Sequence, residues 1–369
     1  MLRPADIGEL CAIVASGGPL RLRGGGSKDA IGAETDATVV DMRGFAGVID
    51  YDPPELVLTV GAGTPLAEVQ ALVAAQGQML AFDPFDHAAL LGGTPAQATI
   101  GGVIAAGVAG PARLSRGAAR DHLLGFTAVS GRGERFVAGA KVVKNVTGYD
   151  LPKLVTGSWG RLAAIAELTL KVLPAPQIQQ TLIARGLDPA AAVAAMARAM
   201  GSAAEVSAAA HLPAWEGRAV TALRLDGFPH SVEARTGTLR RLIETLEILD
   251  DGAQLWDAIR HAAPLPADKP LWRIIISATR APALVAALPD PDWLLDWAGG
   301  LVWLASDADP QTLRTVTTAA GGHAMLVRAD AAVREAVPAL HPQPGPLAAL
   351  EERVRRAFDP AGVFETGRF

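Results

Sequence analysis

The chain has 369 residues, room for about two domains and a tail at roughly 150 residues per domain. Half of the residues are apolar and 19% are charged, which supplies a large core and excludes wholesale disorder. A formal charge of −5 argues against nucleic acid as the main partner, and the single cysteine, Cys11, excludes an internal disulfide, a Cys-ligated zinc finger and an iron–sulfur cluster held by this chain alone.

Met1 to Asp6 carries an acid where a signal peptide would be apolar, so no secretion signal is expected and the cytoplasm is the expected compartment. Pro19–Arg23 alternates with period two and predicts a strand running into Gly24-Gly25-Gly26-Ser27-Lys28. Strands are predicted at Thr38–Met42 and Leu56–Val60, then a helix capped by Thr64 with Pro65 at its first position. Ala88 to Ala112 has no charge and is long enough to cross a bilayer. Its six glycines and two prolines favour a buried Gly-rich loop that approaches a ligand. Leu123–Ser130 and Glu134–Val137 flank Gly131-Arg132-Gly133 as a hairpin, and a last strand covers Ala163–Val172.

Leu173-Pro174-Ala175-Pro176 marks a linker. Beyond it the chain alternates strands and helices. Strands are predicted at Thr181–Arg185, Glu205–His211, Val220–Leu225, Trp272–Ala278 and His323–Arg328, and helices over about 189–200, 231–249 and 310–319. A hairpin over Trp293–Leu304 turns at Gly299-Gly300. This is an α+β layer with an antiparallel sheet. After a Pro-rich connector, Leu347–Ala357 forms a last helix, followed by Phe358-Asp359-Pro360.

Consecutive glycines let backbone amides converge on one point, and such a nest binds phosphate. Arg23 and Lys28 add charge and Ser27 a hydroxyl. Neither a Walker string nor a Rossmann fingerprint is present, so two readings of the loop stand: a strand–loop–strand phosphate cradle or an ordinary tight turn. Three further Gly-rich elements follow, around Thr99-Ile100-Gly101-Gly102, Thr147-Gly148-Tyr149-Asp150 and Gly157-Ser158-Trp159-Gly160. Together they suit one long anionic ligand, such as a dinucleotide.

The ordered set of RGGGSK, VGAGTPLAEV, TIGG, KVVKNVTGYDLPKLVTGSWG and AELTLKVLP resembles the FAD-binding domain of the vanillyl-alcohol oxidase type. Lys144 to Leu151, with Phe358-Asp359-Pro360-Ala361-Gly362-Val363-Phe364, is most similar to the FAD-binding subunits of bacterial glycolate oxidases. The resemblance implies an α+β protein with a two-subdomain FAD-binding domain over 1–175 and an α+β cap domain over 176–345. A helix and tail over 346–369 would return to the first domain. It implies FAD contacts from Arg23, Gly24, Gly25, Gly26 and Ser27 at the pyrophosphate, and from Thr99, Gly101 and Gly102 beside the diphosphate and flavin. Asn145, Gly148 and Asp150 would lie near the flavin ring, and Ala164, Ile165 and Glu167 on a strand whose backbone meets the cofactor. Residues 23–28 hold no histidine or cysteine, so FAD is expected to be non-covalent. Relatives read Asn-Pro-Gly near the end where this chain has Glu365-Thr366-Gly367, which counts against the tail touching the flavin.

Oxidising a 2-hydroxy acid needs a cation for the carboxylate and a base for the hydroxyl, while flavin carries the redox chemistry. The seven histidines show no i, i+2 or i, i+4 pair, so no metal motif is expected, and the histidine cluster of catalytic relatives is missing from the cap. Arg273, in a strand apolar on both faces, reads as a carboxylate clamp, an internal ion pair or a strand end reaching water. His323 reads as a base or as a structural histidine. Trp297 and Trp303 flank a hairpin turn as core or partner contacts. Lys141 and Lys144 neutralise phosphate or lie on the surface, and Tyr149 packs at a helix start. Three functions follow from the resemblance. The first is a flavin subunit of a glycolate-oxidising complex, with a homologous flavin subunit and an iron–sulfur subunit as partners and room for peripheral membrane association through them at the inner face. The second is a self-sufficient 2-hydroxy acid dehydrogenase using Arg273 and His323. The third is a scaffold that binds FAD for stability only.

Overall fold

A computed structural model of the chain describes residues 1–140 and 148–369. Its contacts define two compact units: Met1–Ala109 with Gly117–Ala175 and Pro342–Phe369, and Gly110–Arg116 with Pro176–His341. Gly110–Arg116, which lies inside the expected first domain, clusters with the second unit.

The first unit contains a five-stranded antiparallel sheet in the order Val48–Asp52, Val57–Gly61, Ala163–Lys171, Leu123–Ser130, Arg135–Gly139. The central strand Ala163–Lys171 is buried almost throughout, with only Glu167 and Lys171 partly exposed. A separate pair, Leu20–Arg23 and Thr38–Asp41, runs parallel. Parallel strands cannot be joined by a tight turn, so the chain from 24 to 37 forms a crossover, and it carries the glycine-rich loop. One apolar cluster under this pair gathers Leu10 and Val14 of the helix Ile7–Ala15, Leu20, Val40, Val129, Ala164, Val363 and Phe364. The carboxylate of Asp359, buried at 3% exposure, fixes this last segment by accepting from the amides of Val363 (2.9 Å) and Phe364 (2.7 Å). Gly131 of the hairpin leaves room for it: a Cβ there would strike Asp359.

The second unit is built on an eight-stranded sheet. Its order is Glu247–Leu249, Ile178–Arg185, Arg218–Gly227, Ala208–Trp215, Asp292–Asp296, Leu301–Ala305, Leu271–Ile275, His323–Arg328. Helices Pro189–Met200, Pro229–Leu242 and Pro310–Ala319 supply Val193, Met196, Val232, Leu239 and Leu313 to a core with Trp272, Ile274, Val302 and Leu304.

Three expectations change. Thr64 does not cap a helix: its hydroxyl donates to the Gly61 carbonyl (2.7 Å) and accepts from the Gly47 amide (3.0 Å), and the helix Leu66–Ala74 starts after Pro65. The uncharged stretch is not loop throughout. Ile100, Val103 and Ile104 make one buried face of the helix Ile100–Ala106, which Thr99 caps. Among the described residues no helix is long and apolar enough to cross a membrane. The helix predicted over 231–249 stops at Leu242, and Glu247–Leu249 instead pairs with Thr181–Ile183 at the sheet edge, where tertiary pairing overrides local propensity. The helix Ile7–Ala15 and the edge strand Val48–Asp52 fall outside the expected set.

His211 sits in this sheet at 1% exposure, with Nδ1 2.9 Å from the Thr221 hydroxyl. Burial pushes it down to about 4, against the opposing charge of Asp188. The unfolded chain binds this proton below about 6.5 and the folded chain only below about 4, so His211 stabilises fully above the first value and loses its contribution as pH falls toward the second. At pH 5 the loss is about 2 kcal/mol. Thermal melts at pH 7 and pH 5 are expected to show a smaller acid loss for His211→Gln than for the parent chain. Equal losses would remove His211 as the cause.

Candidate functional site

The strand Leu20–Arg23 delivers Gly24–Lys28 to a cleft that Thr99 and Gly102 also line. The loop touches that second segment so closely that side chains have no room. A Cβ on Gly24 would strike the Thr99 side chain, and one on Gly25 would strike the Gln97 carbonyl oxygen. Gly26 adopts φ +89°, the left-handed region that favours glycine. Among the described residues, the amides of Gly25, Gly26, Ser27 and Lys28 donate no hydrogen bond to protein. Ser27 is buried and the other three are half-buried, so the row opens into the cleft with its donors turned to whatever occupies it, an arrangement suited to an anion.

Charge agrees with that. Arg21, Arg23, Lys28, Arg161 and Arg368 line the cleft against a single acid, Asp29. Arg21 and Arg23 both pair with Asp29, Arg23 at 2.7 Å. Burial pushes the Lys28 ammonium down to about 8, opposed by the carboxylate of Asp86. Asp86 also holds the facing wall. Its two oxygens accept from the amides of Ala88 (2.9 Å), Gln97 (2.8 Å) and Ala98 (3.1 Å), fixing the backbone that abuts Gly25.

An adjoining cleft shares Arg23, Gly24, Thr99, Gly102 and Trp159 with the first and adds Gly101, Ala62, Ala163 and Ile165. Helical Gly101 is needed there because a Cβ would lie 2.6 Å from the Ala62 carbonyl oxygen. Trp159 adopts φ +57° and donates its amide to the Ala105 carbonyl (2.8 Å), docking the fourth Gly-rich segment on the end of the helix.

The structure thus brings Arg23, Gly24, Gly25, Gly26, Ser27, Thr99, Gly101, Gly102 and Ile165 to two continuous clefts. Ala164 points the other way, into the apolar cluster, because successive strand residues face opposite sides. Asp150 caps the helix Leu151–Val155, accepting from the Lys153 amide and pairing with its ammonium at 2.7 Å. Gly148 is exposed at φ +81°, and neither residue lines the two clefts. Asn145, Lys141, Lys144 and Thr147 lie outside the described residues. Sequence reasoning missed Asp86, whose role depends on a fold-back of the chain. The tail, expected to return to the first domain but discounted as a flavin contact, supplies Thr366, Arg368 and Phe369 to the lining of the first cleft. Loss of the Asn-Pro-Gly string therefore does not take the tail out of the cleft.

Arg273 and His323 belong to the second unit. Strand register sets Arg273 opposite Met325 and Ile275 opposite His323, so the two share one face of the sheet. The Arg273 guanidinium makes neither a hydrogen bond nor an ion pair among the described residues. Its guanidinium carbon lies 5.1 Å from the Trp297 ring centre, and that of Arg113 lies 4.4 Å from the same ring. Burial, then Arg113, lowers Arg273 to about 10, and Asp296 opposes them. Trp297 and Ala298 both sit at positive φ, held by the Trp297 amide on Asp296 (2.7 Å) and the indole N–H on the Gly110 carbonyl (3.0 Å). The ion-pair reading of Arg273 is replaced by an aromatic contact. His323 is exposed, its ring edge-on to His341 at 5.3 Å. Among the described residues no three His, Cys, Asp or Glu side chains gather as metal ligands would.

A family model described as an FAD binding domain matches residues 1–139. A solved structure of alkyldihydroxyacetonephosphate synthase superposes with a TM-score of 0.67 at 15% identity, covering 98% of this chain and 74% of that one. The fold is therefore that of an FAD-dependent oxidoreductase of the vanillyl-alcohol oxidase type, with FAD as its cofactor. Glycolate oxidase subunit GlcE of Escherichia coli is 32% identical over 356 residues, 95% of this chain and 92% of that protein. The chain belongs to the GlcE family of glycolate oxidase subunits. Glycolate oxidase subunit GlcD of Bacillus subtilis is 31% identical over 146 residues, 39% of this chain and 29% of that protein. D-lactate dehydrogenase of Anaerostipes hadrus is 34% identical over 136 residues, 37% and 27% of the two chains.

Proposed function

We propose that this chain is a flavin subunit of a glycolate-oxidising complex and that it holds FAD non-covalently in the glycine-lined clefts. A homologous flavin subunit and an iron–sulfur subunit are its partners, and electrons leave toward the iron–sulfur partner. The observation that carries this is the row of four amides without a protein acceptor among the described residues, on residues that line a cleft rich in cations. A dinucleotide pyrophosphate is the anion that such a row fits. Bound FAD supplies the hydride and electron chemistry. Gly25 to Lys28 bind the pyrophosphate, Thr99, Gly101 and Gly102 line its path, and Ile165 packs along the ligand. Asn145, Gly148 and Asp150 are assigned to the flavin ring by family resemblance alone. The single cysteine supports a separate iron–sulfur chain, since this sequence cannot ligate a cluster by itself.

A second reading, turnover by this chain alone, is favoured by Arg273. A guanidinium without a hydrogen bond among the described residues, beside a second one and over an indole, is arranged to clamp a carboxylate. His323, on the same sheet face, would then serve as base.

Purified alone, the full chain is expected to be yellow, to release intact FAD into the supernatant on acid precipitation, and to turn over glycolate only weakly. Co-purification with both partners should restore turnover. Flavin that stays with the precipitate contradicts non-covalent binding, and strong turnover by the lone chain contradicts the subunit reading. If substrate-dependent bleaching survives Arg273→Ala with His323→Ala, the second reading fails.

A further inference from the structure

We infer that Arg368 is a positioning residue for the cofactor: it latches the glycine-rich loop in its anion-binding shape from the segment Glu365–Phe369. The inference rests on the FAD reading of the cleft.

The guanidinium of Arg368, 9% exposed, donates to three carbonyls of one loop: Lys28 (2.7 Å), Asp29 (2.9 Å) and Ile31 (2.8 Å). Its own carbonyl accepts from the Ala33 amide at 3.1 Å. Gly32 makes this approach feasible: it sits at φ +79°, and a Cβ there would strike the Arg368 carbonyl. A neighbouring carbonyl oxygen repels an anion held by such amides, so engaging it elsewhere favours binding. In this loop the Gly26 carbonyl is taken by the Asp29 amide (2.9 Å) and the Lys28 carbonyl by the Ile31 amide (3.1 Å) as well as by Arg368. Arg368 takes those of Asp29 and Ile31. The latch thus removes acceptors at the end of Gly25–Lys28 and just beyond it, a run whose amides have no protein partner among the described residues.

The segment is anchored independently of the loop. Glu365 pairs with Arg161 (3.0 Å) and Arg355 (3.1 Å), and the Phe369 ring lies 4.9 Å from that of Trp159. A five-donor planar fork can serve three carbonyls at once, whereas a lysine ammonium at the end of a flexible stem cannot match that geometry. Charge alone is therefore separable from the latch. Coupling is also reciprocal: if the latch tightens FAD, then FAD must tighten the latch.

The test uses the full chain, stripped of flavin, and titrates FAD by fluorescence. Arg368→Ala and Arg368→Lys are both expected to raise the FAD dissociation constant by about 10-fold to 100-fold, the range spanned by one or two charge-assisted hydrogen bonds. Wild-type affinity in Arg368→Lys would overturn the latch and leave a simple charge effect. A second measurement needs no variant. Exchange of the Ala33 amide, bonded to the Arg368 carbonyl, is expected to slow when FAD is added to the parent chain, and unchanged exchange would overturn the inference even if the variants do not fold. Failure of the parent chain to bind FAD at all would instead overturn the reading beneath it.

Discussion

Gly25→Ala is expected to purify as a nearly colourless protein that folds. A Cβ at this position would overlap the carbonyl oxygen of Gln97. Backbone cannot rotate aside as a side chain can, and this stretch is pinned because Asp86 accepts from the amides of Gln97 and Ala98. The loop itself must therefore retreat, which separates it from Thr99 and opens the cleft where the amides of Gly25–Lys28 gather. Overpacking of this kind costs about 1–3 kcal/mol. Spread over a solvent-accessible loop, that is tolerable for the fold. For the cofactor it is not, since displacing several anion-binding donors together lowers affinity by about 100-fold or more. Flavin per chain after purification, with the dissociation constant for added FAD, measures the effect. Gly26→Ala should be milder in packing, because the atoms its Cβ would meet belong to the Arg23 and Asp29 side chains, although its φ of +89° still adds strain. Parent-like flavin content in Gly25→Ala would mean that the close approach at Gln97 has nothing to do with the cofactor.

Lys28→Met is expected to weaken FAD binding at pH 7 by about 10-fold to 100-fold and to change how binding depends on pH. The Lys28 ammonium contacts the Ser27 hydroxyl only at 3.4 Å, and burial lowers it to about 8. A pyrophosphate beside it favours the charged form and raises that value in the complex. The charge-dependent part of FAD affinity is then fully present below about 8 and is lost as pH climbs through the higher value of the complex. The parent chain should bind FAD less tightly at pH 9 than at pH 7, and Lys28→Met should be flat over that range. The flavin-free variant should be more stable than the flavin-free parent at pH 7, because a buried ammonium is costly until its anion arrives. That opposite sign, weaker cofactor binding with a higher melting temperature, separates a functional charge from a structural one. A pH profile shared by parent and variant would exclude Lys28 as the titrating group.

The parts of this site that sequence revealed are those where composition and conformation coincide. Gly24, Gly25 and Gly26 follow a strand with period-two alternation, and three consecutive glycines mark either a phosphate cradle or a tight turn. Gly101 and Gly102 stood out for the same reason, although they lie in a helix because Ile100, Val103 and Ile104 bury one face. Strands such as Leu123–Ser130 and Ala163–Lys171 were legible from sustained apolar character and from Gly131-Arg132-Gly133 between hairpin arms. Asp86 was not legible, since an acid in a loop acquires a role only when the chain folds back to bring the amides of Gln97 and Ala98 to it. Arg368 was hidden for a similar reason: its three acceptors lie more than 330 positions earlier in the chain, and carbonyl oxygens carry no residue signature. For Arg273 the sequence left a carboxylate clamp, an internal ion pair and a strand end reaching water open. The indole of Trp297, in a turn that holds two non-glycine residues at positive φ, meets it instead.

The most direct test of where FAD is held is a crystal structure of the FAD-loaded chain. The expected result places pyrophosphate oxygens within hydrogen-bonding distance of the amides of Gly25 to Lys28, with the Lys28 ammonium beside them and Arg368 still on the three loop carbonyls. A pyrophosphate bound elsewhere on the chain, with those four amides facing only water, would contradict it.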